Sequence, residues 1–473
     1  MRKPYKIPVT QAFPDISLPE PRVSGAVILL IRLVGRLYLS LSYGLFRIAL
    51  RGEDVLFETF RRALAGEGRC IVAFRHPNGG EPQLLTWFFL FKLRRFAARK
   101  GVRFARRPHA IFVYGYEVAR WGGGLFRFIM SHVGALPVHH AKMDNQGMGR
   151  IYKTILEGPY PLALAPEGQV SYTTDSVPRL EPGVVRIGFN AAERLAEKAA
   201  GSNRGGDSNR GDDSNGNNGF RDRALEILPL SVHYRYGSRG KASMERLLKK
   251  IEKLSGFAGA ADSSRDFTER LRRCRDHILE VNETRYQIKG DASLPFEERL
   301  MRVINAALET AERMLNIKGE GELFVRMYRL RQICWDRIFV PGVDNLKDMA
   351  QAELGVMDLG AGEAWHIARH QEIVDFCWYF RVPLPAEDAS LHCKIEYVQN
   401  LWDFLNRTMG GAFSDRILIS PKKIIFHAAP VINLSGRLSS YHEDRKSAVA
   451  AAMSDLEKAY LDSIEEANRM ESD

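Results

Sequence analysis

Apolar and polar positions divide the chain into two regimes. In its first half, short apolar runs at 70–74, 111–118, 134–138, 162–165 and 226–232 read as buried strands. Runs of about four to eight apolar residues bounded by turn residues fit strands covered on both faces. Helix-period patterns lie between several of them, for instance at 143–157 and 183–200. Strands alternating with helices predict a layered α/β domain. From about 240 to 412 the pattern is helical, with segments at 242–256, 264–287, 294–316, 320–337, 360–381 and 387–408. Pro and Gly punctuate them at 295, 341–342, 382–385 and 410–411. Strand signals return at 417–419 and 424–426, and a last helix is expected over 444–470.

This pattern divides the chain into an irregular segment 1–24, an α/β domain beginning over 25–237, a helical insertion 238–414 and a closing strand and helix within 415–473. A plain two-domain chain is the alternative. Residues 201–223, rich in Gly, Ser, Asn, Asp and Arg, read as a flexible loop inside the α/β domain.

Two apolar stretches carry basic residues. In 25–51, Arg32, Arg36, Arg47 and Arg51 fall within an arc of about 100° on a helix. No apolar run there reaches the roughly 20 residues of a spanning helix. An amphipathic helix lying in a membrane interface is the expectation, with packing on the protein's own core as the alternative. In 83–107, the run from Leu84 to Phe91 leads into eight Lys and Arg residues, a pattern suited to an anionic bilayer, with a core helix followed by a solvated charged face as the alternative. The formal net charge of +11 also favours anionic partners. The five cysteines are scattered without metal or disulfide spacing and fit a reducing compartment. No convincing signal peptide opens the chain. His366 and His370 are one helical turn apart, but Ile367 stands where a metalloprotease needs Glu, so no metal site is expected. Nucleotide-binding glycine motifs are missing as well.

The run 70–74 ends in Arg75-His76-Pro77-Asn78-Gly79-Gly80-Glu81. A histidine at such an edge can take a proton from a hydroxyl near neutral pH. Turn residues between it and Glu81 let the carboxylate fold back to orient the ring. Further on come Gly134-Ala135-Leu136-Pro137-Val138, Ala165-Pro166-Glu167-Gly168, Pro182-Gly183 and Ile227-Leu228-Pro229-Leu230, in that order. Over roughly 50–235 the chain resembles the glycerolipid acyltransferases, whose best-known members are the lysophosphatidic acid acyltransferases. Their blocks are His-x4-Asp, Gly-x-Ile/Phe-x-x-x-Arg, Phe-Pro-Glu-Gly-Thr-Arg-Ser and a late Val/Ile-Pro-Val. The piece from Ile425 to Leu434 is similar to the family's closing strand.

The chain departs from those blocks in ways that bear on substrate. Glu81 replaces Asp, His140 stands where the second block has Arg (Lys142 lies just beyond), and Gln169 and Val170 replace Thr and Arg. Those arginines are the ones the family links to acceptor phosphate, and neither Val nor neutral His replaces their charge. Arg179 and Arg186 are candidate substitutes.

The resemblance implies O-acyl transfer from an acyl thioester, acyl-CoA or acyl carrier protein, to a lipid alcohol such as a lysophospholipid. His76 would be the general base and Glu81 its orienting carboxylate. Arg75 and Asn78 would meet polar groups of the substrate. Backbone N–H groups at Gly79, Gly80 and Gly168 are candidate oxyanion donors, and Glu167 and Gly168 would shape the acceptor pocket. No cofactor is needed. The expected place is the cytoplasmic face of a membrane, held peripherally or monotopically. The rival readings are a binding or scaffold protein with a degraded site, an RNA-binding protein supported by charge alone, and a serine hydrolase on Ser131 or Ser171, which lack a nucleophile elbow.

Overall fold

The computed structural model describes residues 9–16, 18–43, 47–139, 144–204, 224–257, 266–291, 293–343, 345–411 and 415–469. A short strand β1 (Phe13–Pro14) precedes helix α1 (Gly25–Tyr43), and β2 (Ile48–Arg51), α2 (Glu53–Ala65) and β3 (Arg69–Phe74) follow. Next is α3 (Glu81–Phe88), which passes through a π-helical segment into α4 (Arg94–Arg99). The chain continues through β4 (Ile111–Gly115), α5 (Tyr116–Trp121), α6 (Gly123–His132), β5 (Leu136–Val138) and α7 (Asn145–Glu157). Then come β6 (Leu162–Leu164), α8 (Gly183–Arg204) and β7 (Leu225–Arg235). The helical stretch holds α9 (Ser238–Leu254), α10 (Phe267–Arg285), α11 (Phe296–Leu315), α12 (Leu323–Ile338), a short β8 (Phe339–Val340), α13 (Gln351–Tyr379) and α14 (Leu391–Thr408). The chain closes with β9 (Lys423–Ala428), β10 (Ile432–Asn433), α15 (Leu438–Glu443) and α16 (Arg445–Arg469).

The main sheet runs in the order β2-β9-β7-β3-β6-β4-β5, with β10 beside the start of β7. β3 pairs in parallel with β6 and β7, β6 with β4, β4 with β5 and β2 with β9. β9 and β10 run antiparallel to β7. The protein is thus mixed α/β with a mainly parallel sheet. The strand alternation sorts side chains onto two faces. Ile71 and Ala73 of β3 face a core shared with α7, α8 and α16. Cys70, Val72 and Phe74 face the other core, which contains α2, α3 and residues of α9–α14. The helical stretch therefore shares one apolar core with the sheet.

Several expectations are corrected. Of the run 111–118 only Ile111–Gly115 is a strand, since Tyr116 already opens α5. Residues 48–51 are a strand, not the end of the N-terminal helix, because Ile48–Arg51 pair in register with Ile424–His427. Arg47 and Arg51 consequently leave the helical face predicted for them. Within 417–419 no strand forms: Gln399 Nε2 donates to Ile417 O at 2.7 Å and Trp402 Nε1 to Asp415 O at 3.0 Å, so α14 side chains bond this segment. In 83–107 the alternative holds: the aromatics at 87–89 are core residues, and the basic end of that stretch lies outside. Within 1–24, β1 pairs with β8. Of the expected loop 201–223, residues 205–223 lie outside the described residues, and α8 extends to Arg204.

Helix α1 buries Val27, Ile28 and Leu39. Its other side exposes Leu29, Leu33, Leu37 and Leu41, spaced one turn apart, with Leu33 at 72% and Leu41 at 78%. Among the described residues no helix is long and apolar enough to cross a membrane.

α14 carries a buried carboxyl, Glu396, whose pKa burial pushes up to about 7. Between the ordinary 4.5 and about 7 the folded chain holds a proton that the unfolded chain has released. This group thus favours folding most at low pH, and the contribution disappears as pH rises through 7. Glu396→Gln should flatten that fall, roughly 3 kcal/mol, when unfolding free energies from urea titrations are compared between pH 4.5 and 8. An equal slope in both proteins would contradict the assignment.

Candidate active site

The carboxyl ends of parallel strands are where open α/β sheets place their ligands. β3 and β6 pair with Ala73 opposite Leu164. Continuing that register three residues beyond the Ala73–Leu164 pair brings His76 beside Glu167. The His76 N–H donates to Glu167 Oε2 at 3.0 Å, and Arg75 Nε donates to Glu167 Oε1 at 2.7 Å. Arg75 and Glu167 side chains are both 1% exposed. The rest of the Arg75 guanidinium donates to the carbonyls of Thr173, Thr174 and Ser176. Arg75, expected to meet polar groups of the substrate, is instead committed to a buried ion pair with Glu167 that ties the two motifs together.

The loop after His76 turns back as its composition predicts. His76 Nδ1 lies 2.6 Å from Glu81 Oε2. Glu81 is the first residue of α3 and has no solvent exposure. A helix amino terminus favours a carboxylate there. Its remaining bonds come from the Gly79 N–H at 2.9 Å and the Tyr234 hydroxyl on Oε1. Burial first, then the charge of Glu81, push the Tyr234 phenol well above its ordinary pKa, so it stays a donor. With Nδ1 held by Glu81, Nε2 stands at the opposite edge of the ring, away from the carboxylate. The His76 side chain is 16% exposed.

Close packing covers this loop. A Cβ on Gly80 would stand 2.3 Å from the Tyr43 ring, so glycine alone lets the end of α1 lie against the motif. Gly168 sits at φ 70°, with the Tyr328 hydroxyl of α12 3.2 Å from where its Cβ would be. Asn78 is half-buried, and its Oδ1 is buried without a hydrogen-bond partner among the described residues.

The other sequence candidates fall differently. The Gly79 N–H is taken by Glu81 and the Gly168 N–H by Ala165 O, which removes both as oxyanion donors. Arg179 pairs with Glu322 at the surface, 3.0 Å apart, and Arg186 is exposed on α8. Gln169 is half-buried beside the site, and His140 and Lys142 lie outside the described residues. His370 bonds the Tyr286 hydroxyl through Nδ1 at 2.9 Å. Among the described residues no group of three or more His, Cys, Asp and Glu side chains converges as a metal site. Tyr234 escaped sequence reading, although Leu230, Val232 and Tyr234 alternate onto one face of β7.

No family model matches the chain, and no curated protein does.

The Arg75–Glu167 pair supports a stability prediction. Removing one partner of a buried pair strands the other charge, at a cost of about 3–5 kcal/mol. Glu167→Ala should lower the unfolding free energy by about that amount in urea titrations. A loss under about 1 kcal/mol would contradict a buried tether.

Proposed function

We infer that the protein is an O-acyltransferase working on a lipid alcohol at a membrane surface. The observation that carries this reading is the 2.6 Å His76–Glu81 contact at the carboxyl ends of β3 and β6, with Nε2 turned away from the carboxylate. In the reaction, Nε2 takes the proton of the acceptor hydroxyl while its oxygen attacks the thioester carbonyl. The C–O bond forms, the C–S bond breaks, and the imidazolium returns its proton to the departing thiolate. The products are an ester and a free thiol. Glu81 stabilises the transient imidazolium. The Asn78 amide, with its unpartnered buried oxygen, is the polar group we assign to the substrate. Acyl-CoA or acyl carrier protein serves as donor, and no cofactor takes part.

The acceptor is a lysophospholipid or a related lipid. The family's phosphate-binding arginines are replaced here, and Arg179 is occupied by Glu322. A headgroup without a phosphate monoester therefore suits this site better than lysophosphatidate.

Membrane docking, on the cytoplasmic face, is assigned to the exposed leucines of α1. Arg32 and Arg36 are exposed on the same helix, and Arg94, Arg95 and Arg99 are exposed nearby on α4. Burial, then the charges of Arg36, Arg95 and Arg99, lower the pKa of Lys92, which places these cations in one cluster. Apolar residues beside clustered cations match an anionic bilayer.

Purified protein should release free thiol from an acyl thioester only when a lipid acceptor is added. His76→Ala should lower that rate by roughly 10²–10⁴-fold. Equal rates in the two proteins would place the base elsewhere. Failure of the wild type with both donors, across lysophospholipids and glycolipids, would favour a membrane-peripheral binding protein with a degraded site. The docking face has its own test in sedimentation with phosphatidylglycerol vesicles. Replacing Leu33 and Leu37 by Asp removes roughly 3 kcal/mol of apolar burial and should weaken binding about a hundredfold. Unchanged binding would remove α1 from the interface.

A further inference from the structure

The segment Ser171–Ser176 follows the Pro-Glu-Gly motif and lies between two sets of partners. On one side it is bound to the base. The Ser171 N–H donates to His76 O at 2.9 Å, and Arg75 donates to the Thr173, Thr174 and Ser176 carbonyls at 3.0, 3.2 and 2.8 Å. On the other side it is bound to α14, the last helix before the chain rejoins the sheet. Thr174, wholly buried, donates its N–H to Glu396 Oε2 at 2.8 Å and its hydroxyl to Oε1. Asn400 Nδ2 donates to Tyr172 O at 3.1 Å. His392 Nε2 stands 2.5 Å from Asp175 Oδ2, which also accepts from the Ser390 hydroxyl.

The conformation held this way is one the loop would not choose alone. Tyr172 has φ 53°, in the left-handed region that costs a residue with a Cβ about 1 kcal/mol or more. Tyr172 is 5% exposed, and the Arg416 guanidinium lies 3.9 Å from its ring centroid. Such strain persists where surrounding bonds over-determine it. The bonds to Asn400 and Glu396 come from the helical stretch, not from the sheet. A continuous path therefore runs from α14 through Thr174 and Tyr172 to Arg75, Glu167 and the backbone of His76.

We propose that α14 is a working part of the acyl-transfer site, with Glu396 and Asn400 as positioning residues for the 171–176 loop and, through it, for His76. The proposal rests on the reading of His76 as the base. It gives the helical region a role inside the reaction: the region supplies the outer wall that fixes the catalytic loop. Neither residue touches the reacting atoms, so the effect belongs on turnover rather than on donor binding.

The test compares Glu396→Ala, Asn400→Ala, Glu396→Gln and Thr174→Val with the wild type. Leu308→Ala, a buried α11 position outside this path, controls for general destabilisation. Histidine ring NMR signals report the base directly, the His76 signal being the one lost in His76→Ala. The two alanine variants should shift that signal and lower kcat about tenfold or more, with the thioester KM within about twofold, since small displacements at a reacting centre are costly in rate. Glu396→Gln keeps an acceptor for Thr174 and should recover most of the activity. Thr174→Val removes one bond with little change in volume, and covers the case in which an alanine variant does not fold. An unmoved His76 signal, together with turnover no lower than in Leu308→Ala, would overturn the proposal. If the wild type shows no acyl transfer, that reading fails, and the His76 signal alone decides whether α14 positions the ring.

Discussion

Everything in the site depends on satisfying one buried carboxylate. Glu81 has no contact with water, so each of its oxygens must find donors inside the protein. Nδ1 of His76 and the Gly79 N–H meet one oxygen, and the Tyr234 hydroxyl meets the other. These bonds come from the β3–α3 loop and from β7, and β3 and β7 are neighbours in the sheet. Strand pairing therefore fixes the ring and its partner before any substrate arrives. Glu81 also opens α3, where the helix dipole adds to the same preference for negative charge.

A second buried carboxylate, Glu167, performs the complementary task. It binds the main chain at His76 and the side chain of Arg75, joining the loops after β3 and β6. Arg75 carries this order outward to the 171–176 loop, and α14 meets that loop from the far side. Preorganised polar groups need no rearrangement when charge develops beside them. The sheet and the helical stretch share one apolar core, so they hold these loops as a single packed unit.

Much of this was legible in the sequence. The apolar runs located β3–β7, and the turn residues Pro77-Asn78-Gly79-Gly80 announced a loop able to bring Glu81 back to His76. What escaped was set by partners distant in the chain. Ile48–Leu50 looked like the end of a helix because nothing nearby shows that β9 will pair with it. Ile417–Ile419 looked like a strand, yet side chains of α14 claim its backbone. Arg75 next to the His76 motif suggested a substrate contact, and only the fold reveals its buried partner 92 residues away. The links from Tyr234 to Glu81 and from Glu396 to Thr174 span 153 and 222 residues, beyond any local pattern.

The central claim is direct transfer, with His76 activating the acceptor and no covalent acyl-enzyme. Rapid mixing of excess protein with acyl thioester and acceptor tests this most directly, with thiol release and ester formation followed in the same reaction. Direct transfer predicts one rate constant for both products and no acyl adduct in the intact-protein mass. A burst of thiol ahead of the ester, with an acylated protein in between, would contradict it.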